Sequence, residues 1–200
     1  FAETLDDDGN PTPITITGVQ RRCAINTQPN PEIGCPDGIY GNAFEIATEE
    51  QIRASTSVIS PPTISNILAI SAPYGGTGYY TEEDMIKVLI TAYTGFYYAR
   101  KESERLVPDN SKTIIHSGFW GCGAFGGNRE LMTILQCFAA SLAKVDLIFW
   151  AVNDSGVKVA LEAADQYYSI TEPRAINKFT HNLLTRLLAR KYQWGESDGN

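Results

Sequence analysis

The sequence predicts an α/β fold, and three observations support that prediction. Short apolar runs at residues 67–71, 113–116 and 145–152 have the length and composition of buried strands. Amphipathic segments with apolar residues at helical spacing separate these runs. A glycine-rich stretch follows the second run and precedes a helical segment. Because strands that alternate with helices form parallel β-α-β units, we expect one α/β domain over residues 1–200.

The first third of the chain has fewer regular elements than the rest. Residues 14–17 alternate as a strand does, and residues 19–25 form either a second strand or its continuation. Prolines, glycines and asparagines fill residues 27–42, which predicts a long loop, and residues 43–55 have helical character. Long loops in compact domains are commonly functional.

Four further helices are expected downstream. Thr81 is a good N-cap for a helix that runs to about residue 104, and Asn128 is an N-cap candidate for the next helix. The apolar stripe of that second helix is Leu131, Ile134, Leu135, Phe138 and Leu142. Residues 157–167 and 176–192 form the last two predicted helices.

The composition excludes several classes of function. A net charge of −7 and the lack of a Lys/Arg cluster argue against a nucleic-acid partner. No apolar stretch approaches the roughly 20 residues that span a membrane, so no membrane partner is expected. The chain begins with Phe rather than Met, which favours a piece of a longer protein.

The four cysteines do not form a metal-binding pattern. None stands in a C-x-x-C pair, so neither a zinc site nor any other metal site is expected. Cys122 lies among glycines and Cys137 on an apolar helix face, which favours buried thiols in a reducing compartment such as the cytoplasm. A disulfide between Cys23 and Cys35 is the alternative.

The most informative segment is residues 118–127, which contains five glycines. Glycine allows positive φ angles and a close approach of the backbone to a ligand. The helix that follows presents free N–H groups at its N-terminus, where an anion is stabilised. In an acidic chain without a basic cluster, this pattern predicts a phosphate-binding loop between a strand and a helix.

This segment also resembles the diphosphate loop of the poly(ADP-ribose) glycohydrolases, a branch of the macrodomain superfamily. The matching run is Trp120-Gly121-Cys122-Gly123-Ala124-Phe125-Gly126-Gly127, and Phe119 stands where the family usually has Asn. The resemblance implies a three-layer α-β-α sandwich with a mixed, mostly parallel sheet. It also implies that residues 121–127 bind ADP-ribose and that no cofactor is needed.

The resemblance covers residues 67–160 well. Residues 92–96 are similar to a short family stretch that precedes the loop, and Asn153-Asp154-Ser155 is similar to the family's Gly-Asp-Ser. Tyr79 lies in a segment whose family tyrosine packs against the adenine, with Tyr80 as the alternative. Asp154 either bonds the adenine or ribose or caps the next helix. Phe125 packs against the ligand or fills the core.

The first half departs from the family pattern. The family signature is three glycines, six to eight residues, and then Gln-Glu-Glu; the nearest counterpart is Gly38-Ile39-Tyr40-Gly41-Asn42 followed by Thr48-Glu49-Glu50. Asn26 corresponds to a family Asn that contacts a ribose. A carboxyl group that protonates the leaving group and then activates water is what ribosyl cleavage requires. Glu50 is the first candidate, Glu49 the second and Asp37 the third; Glu32 is a further alternative. Solvated helix-surface acids, or a turn residue in the case of Asp37, are the alternative interpretations.

Three functions fit these observations. The first is an ADP-ribosyl glycohydrolase that removes mono- or poly-ADP-ribose from modified proteins. The second is a reader module that binds ADP-ribose without cleaving it, which the loss of the glycine triplet favours. The third is a nucleotide-binding structural domain in a larger, effector-like protein. In each case the expected partner is ADP-ribose or an ADP-ribosylated protein.

Overall fold

A computed structural model describes residues 3–108, 112–151, 153–170 and 176–197, with the side chains of 176–182 excepted. The chain divides into two compact units, and each is described by itself. The first unit consists of Phe1–Thr15 and Leu68–Asp198. The second consists of Ile16–Ile67 with Gly199–Asn200. The expectation of one domain over the whole chain stays a prediction.

The second unit is built on a two-stranded antiparallel ribbon. Its strands are β1 (Ile14–Ile25) and β2 (Thr56–Ala69), which are hydrogen-bonded neighbours. The Asn26 N–H donates to the Ser55 carbonyl at one end, and the Gly18 N–H donates to the Asn66 side chain towards the other. Between the strands lie a 3₁₀ turn at Pro31–Ile33 and two short helices, α1 (Asn42–Ile46) and α2 (Glu49–Ser55).

The structure decides one alternative for this unit and corrects two expectations. Residues 19–25 continue the first strand, which is one of the two alternatives that the sequence leaves open. The helix expected over 43–55 is two helices, because Ala47 is extended and Thr48 serves as the N-cap of α2. β2 begins at Thr56 instead of residue 67. Most of its side chains are exposed, so it lacks the apolar pattern by which a buried strand is recognised.

The first unit contains a parallel β-α-β arrangement, as predicted. Its elements are α3 (Glu82–Leu106), β3 (Ile114–Ser117), α4 (Arg129–Ala143), β4 (Asp146–Phe149), α5 (Asp154–Ile170) and α6 (Ile176–Ala189). β3 and β4 are parallel neighbours that pair from Ile114↔Asp146 to Ser117↔Phe149. The strand expected over 145–152 is therefore shorter, and Val152 lies outside the described residues. The expected helix over 157–167 begins three residues earlier, at Asp154.

The core of the first unit centres on α4. Leu131, Ile134, Leu135 and Phe138 are fully buried, and Leu142 is partly buried, so the predicted apolar stripe is confirmed. Buried side chains of α3 and α6 complete the same cluster, among them Met85, Val88, Phe96, Leu183 and Leu187. Burying one such side chain contributes about 1.5–3 kcal/mol, so this cluster fixes the N-terminus of α4, where the glycine loop ends.

The two faces of the β3–β4 pair differ in burial. Ile115 and Leu147 pack against the core, whereas Ile114, His116 and Ile148 are exposed. Within the described residues each sheet has two strands. The α/β class is thus confirmed, while the three-layer sandwich with a mixed, mostly parallel sheet stays a prediction. No described helix is long and apolar enough to cross a membrane.

The cysteines are free thiols in this structure. Cys23 is exposed on β1 and Cys35 is buried, so the alternative of a disulfide between them is wrong. Cys122 and Cys137 are half-buried in the first unit.

Candidate functional site

The glycine loop, residues 118–127, is anchored where it leaves β3. The Gln136 side chain, 1% exposed on α4, donates from Nε2 to the Gly118 carbonyl at 3.0 Å. Its Oε1 accepts a hydrogen bond from the Ser117 hydroxyl at 2.5 Å. A buried amide with both ends bonded fixes the first residue of the loop relative to α4. The sequence gives one signal for this contact, a glutamine within the apolar stripe of a helix.

The interior of the loop is a set of tight turns. The Cys122 N–H donates to the Phe119 carbonyl at 3.0 Å. The Gly126 and Gly127 N–H groups donate to the carbonyls of Gly123 and Gly121, both at 2.9 Å. These donors are therefore occupied within the protein. Gly121 and Gly126 have φ angles of 72° and 62°, which glycine adopts without steric cost.

Within residues 120–127 of the loop, four N–H groups have no partner among the described residues. They belong to Gly121, Gly123, Ala124 and Phe125. The last three are consecutive, and Ala124 and Phe125 are exposed. Successive free N–H groups in a turn form a concavity that binds anions. Of the residues 121–127 predicted to bind ADP-ribose, the structure thus leaves the N–H groups of 121 and 123–125 open to a ligand.

The far end of the loop is held by Tyr80 and Asn128. Asn128 caps α4, because its side chain accepts from the Leu131 N–H at 3.1 Å, as predicted. Its own N–H donates to the Tyr80 hydroxyl at 3.0 Å. Burial raises the pKa of Tyr80 to about 12, so that hydroxyl stays protonated. Tyr80 is committed to the protein, whereas Tyr79 is 55% exposed and open to a ligand.

A C-terminal segment, residues 192–195, covers the same end of the loop. The Gly195 N–H donates to the Gly126 carbonyl at 2.7 Å. The Trp194 ring stacks on Tyr80 with centroids 4.0 Å apart, and the Trp194 backbone N–H donates to the Gly78 carbonyl. The predicted last helix ends at Ala189 instead of residue 192. The backbone carbonyl of Tyr192 instead accepts a hydrogen bond from the Tyr80 N–H. Sequence reasoning missed this segment, which has neither helical spacing nor strand alternation.

Gly126 is a packing position in this arrangement. A Cβ atom placed there would lie 2.4 Å from the Gly195 carbonyl oxygen. A Cβ on Gly127 would likewise lie 2.6 Å from the Gly121 carbonyl oxygen. Both glycines are buried. They are required by contacts within the protein, whatever binds to the loop.

The ends of β3 and β4 lie at one edge of the sheet, as expected. A Cβ on Gly118 would be 3.0 Å from the Trp150 carbonyl, and one on Gly156 would be 2.9 Å from the Phe119 ring. The Asn153 side chain accepts from the Gly156 N–H at 2.9 Å, so Asn153 caps α5. The alternative that Asp154 is the cap is therefore wrong. Asp154 is the first residue of α5 and is exposed.

The aromatic residues of this region fall into two groups. Phe125 is 40% exposed and meets Tyr74, itself 83% exposed, in an edge-on contact with centroids 6.3 Å apart. Trp120 packs against the core. His116 accepts a hydrogen bond from the Trp150 indole at 3.0 Å, which agrees with a structural histidine. Phe125 thus remains open to a ligand, while Trp120 is part of the packing.

Cys122 is poorly suited to be a nucleophile. Burial raises the pKa of its thiol to about 12, and the nearby Arg129 guanidinium opposes that shift only in part. The thiolate is the reactive form of cysteine, and at neutral pH it is almost absent here.

The candidate acids of the second unit lie on α2 and in the loop before it. Glu49 and Glu50 are the first two residues of α2, and a capping box of Thr48 and Gln51 begins that helix. Glu49 forms a 2.6 Å ion pair with Arg53. Glu50 instead lines a hollow of about 340 Å³ together with Glu32, Ile33 and Ala54. Of the adjacent pair, Glu50 is the one that faces open space beside another carboxylate.

Asp37 and Asn26 lie at turns in the same unit. The Gly38 N–H donates to the Cys35 carbonyl at 3.1 Å, so exposed Asp37 occupies a tight turn. Gly38 is buried with φ 86°, and a Cβ there would lie 2.3 Å from the Thr27 carbonyl. The Asn26 side chain accepts from the Gln28 N–H at 3.1 Å, a local turn contact. The ligand-binding role predicted for Asn26 and the catalytic role predicted for Asp37 stay predictions.

Comparison with known families identifies a match to the second and first units of this chain by residue range. The family model described as poly (ADP-ribose) glycohydrolase (PARG), macro domain fold, matches residues 37–159, more than half of the chain. The match begins at Asp37 rather than at residue 67. It therefore includes α2 and its carboxylates as well as the glycine loop, Tyr79 and Asp154, and it leaves Asn26 outside.

Proposed function

The chain belongs to the poly(ADP-ribose) glycohydrolase family, with the macro domain fold, and from that premise we propose that it removes ADP-ribose from modified proteins. The observation that supports this best is the glycine loop, with three consecutive N–H groups open ahead of the N-terminus of α4. The family match includes both this loop and α2. The proposal covers mono- and poly-ADP-ribose as substrates.

The loop would bind the diphosphate of the substrate. The N–H groups of Gly123, Ala124 and Phe125 supply donors, and the partial positive charge of the α4 N-terminus adds to their effect. Phe125 offers an apolar surface for a ribose or the adenine, and Tyr79 offers a second exposed ring. Asp154, exposed at the edge where β3 and β4 end, would accept a hydrogen bond from the adenine or a ribose hydroxyl.

A carboxyl group would carry out the cleavage. It donates its proton to the leaving oxygen as the bond from the anomeric carbon breaks through an oxocarbenium-like state. The resulting carboxylate then takes a proton from water, whose oxygen bonds to the anomeric carbon, and the carboxyl group is restored. We assign this role to Glu50, since Glu49 is engaged by Arg53 while Glu50 lines a hollow beside Glu32. Glu49 ranks second and Asp37 third.

Two measurements test this proposal. Calorimetry with ADP-ribose tests binding, and single-turnover release of ADP-ribose from mono- and poly-ADP-ribosylated proteins tests cleavage. Binding together with release is the expected result, and the ratio of the two release rates identifies the substrate. A folded chain that binds no ADP-ribose would contradict the proposal.

A reader module is the second candidate, and one observation favours it. The segment before α2 lacks the family's glycine triplet, and Glu50 lies on an exposed helix surface. Binding of ADP-ribose without release from either modified protein would favour the reader.

A further inference from the structure

Arg129 occupies an unusual position beside the glycine loop. It is the first residue of α4, directly after the Asn128 cap, and it is exposed. Its guanidinium lies over the Phe119 ring, 5.0 Å from the ring centroid. Phe119 is in turn held edge-on against Phe149 at 5.1 Å and beside Gly156. The side chain of Arg129 is therefore seated on an aromatic ring fixed at the end of β3 and β4.

No described carboxylate forms an ion pair with Arg129. Its neighbour Glu130 is engaged elsewhere, because it accepts from the Tyr192 hydroxyl at 2.6 Å and lies 3.7 Å from Arg190. The partial charge at the N-terminus of α4 is also positive, so a cation there is unfavourable. The positive charges of the Arg129 guanidinium and of the α4 N-terminus thus lie together, and no anionic side chain of the described residues pairs with that guanidinium.

Phe119 connects the Arg129 side chain to the glycine loop. In the resembling family this position, at the start of the loop, usually holds Asn. Phe in its place supplies the ring on which a guanidinium stacks, which an amide cannot do to the same extent. An arginine held in this way loses little further freedom when it binds a phosphate, and its planar fork matches two phosphate oxygens.

We propose that Arg129, seated on Phe119, contacts the diphosphate of the bound ligand and is a determinant of affinity that this chain adds to the backbone donors of its glycine loop. This inference rests on the proposed function. The side chain lies against the loop, since its guanidinium stacks on the ring of Phe119, a loop residue. The fit is to a diphosphate ester or free diphosphate, and adenosine alone would gain nothing from Arg129.

The test compares Arg129→Gln, Arg129→Lys and the unaltered chain by calorimetry with ADP-ribose, inorganic pyrophosphate and adenosine. We expect Arg129→Gln to raise the Kd for ADP-ribose and for pyrophosphate about five- to tenfold, the scale of one charge-assisted contact at a partly exposed site. Arg129→Lys keeps the charge but not the fork, so an intermediate loss is expected. Adenosine binding should not differ between the variants.

Arg105→Gln is the matched control. It removes the same charge from an exposed position near the end of α3, where Arg105 pairs with Glu102. Its Kd for ADP-ribose should stay within twofold of the unaltered chain. Raising the salt from low to physiological concentration should weaken ADP-ribose binding by the unaltered chain and by Arg105→Gln to the same modest extent. It should weaken ADP-ribose binding by Arg129→Gln less.

The outcomes separate this inference from the proposed function. Binding of ADP-ribose that is equal in the unaltered chain and in Arg129→Gln overturns the role of Arg129 and leaves the function intact. Pyrophosphate binding that depends on Arg129, with no ADP-ribose binding, supports the anion contact and overturns the function. A folded chain that binds neither ligand overturns both.

Discussion

The glycine loop of the first unit and helix α2 of the second each carry residues with a proposed role, yet they are stabilised very differently. The loop is bonded at its start by Gln136, within itself by four backbone hydrogen bonds, and at its end by Tyr80 and Gly195. α2 is a seven-residue helix with no buried residue. Its capping box, one contact from Gln51 to the Gly34 carbonyl and the hydrogen bond from the Asn26 N–H to the Ser55 carbonyl hold it in place.

This difference predicts that the two regions tolerate substitution to different extents. The buried and hydrogen-bonded residues of the loop are each constrained by several neighbours, so few substitutions are tolerated there. An exposed two-turn helix constrains little beyond its cap, so its sequence can change while the carboxylates remain. The predictions below challenge that contrast, beginning with the largest expected effect.

Replacing Glu50 by Gln should abolish most of the turnover without affecting ligand binding. A positioned acid–base group contributes roughly 10²–10⁴-fold, and the amide keeps the size of the side chain while losing its proton. The measurement is single-turnover release of ADP-ribose, with calorimetry as the binding control. Glu49→Gln and Asp37→Asn should have smaller effects, and the exposed Glu45→Gln should have none. Near-normal release by all of the Glu50, Glu49 and Asp37 variants would remove this assignment.

Thiol labelling should distinguish the glycine loop from strand β1 of the second unit at neutral pH. Burial raises the pKa of Cys122 to about 12 and that of Cys137 to about 11, so their thiolate fractions are very small. Exposed Cys23 should react with iodoacetamide at least about a hundredfold faster than Cys122 in the native protein. Peptide mass spectrometry over time provides the rates.

The pH dependence of labelling provides a further check. The Cys122 rate should rise about tenfold per pH unit up to roughly 12, since only the thiolate reacts. Denatured protein should show equal rates for all the cysteines. A native Cys122 that reacts as fast as Cys23 would show that the loop opens frequently and would weaken the contrast with α2.

Replacing Gly126 by Val should lower the free energy of unfolding by about 2–5 kcal/mol. The side chain would meet the Gly195 carbonyl, and φ of 62° is strained for a β-branched residue. Gly9→Ala is the matched control, because Gly9 has φ 79° and open space around its Cβ position. The control should cost about 1 kcal/mol or less. Urea unfolding, fitted with the same dependence on urea concentration for both variants, provides the free energies of unfolding. Equal losses of unfolding free energy in the two variants would show that packing of Gly126 on the C-terminal segment contributes nothing.

Most of the fold in the first unit was predictable from the sequence, because its signals are local. Helical spacing in α3 and α4, the Asn128 cap and the apolar strands fix the β-α-β unit directly. Composition alone predicts that the N–H groups of Gly126 and Gly127 are open to a ligand. They are bonded inside the loop, which only the three-dimensional turn reveals.

Long-range contacts account for what the sequence did not predict. Residues 192–195 reach the loop through backbone bonds to Gly78, Tyr80 and Gly126, which leave no periodic pattern. β2 is a strand because it pairs with β1, although its residues are mostly polar or exposed. Tyr79 and Tyr80 are equivalent in the sequence, and only the stack of Tyr80 on Trp194 distinguishes them.

Removing the contact of Gln136 with Ser117 and Gly118 should have the smallest effect of these changes on the free energy of unfolding, and the most specific one. Gln136→Leu leaves the Gly118 carbonyl and the Ser117 hydroxyl without this partner, which should cost about 1–3 kcal/mol of unfolding free energy. Ser117→Ala should cost less, because the glutamine keeps its bond to Gly118. The double variant should therefore lose less than the sum of the two single losses, by about 0.5 kcal/mol or more. Denaturant unfolding of all three variants measures this coupling. Strict additivity of the two losses would mean that strand β3 alone holds the start of the loop. The contrast between a bonded loop and a weakly held α2 would then depend on the far end of the loop.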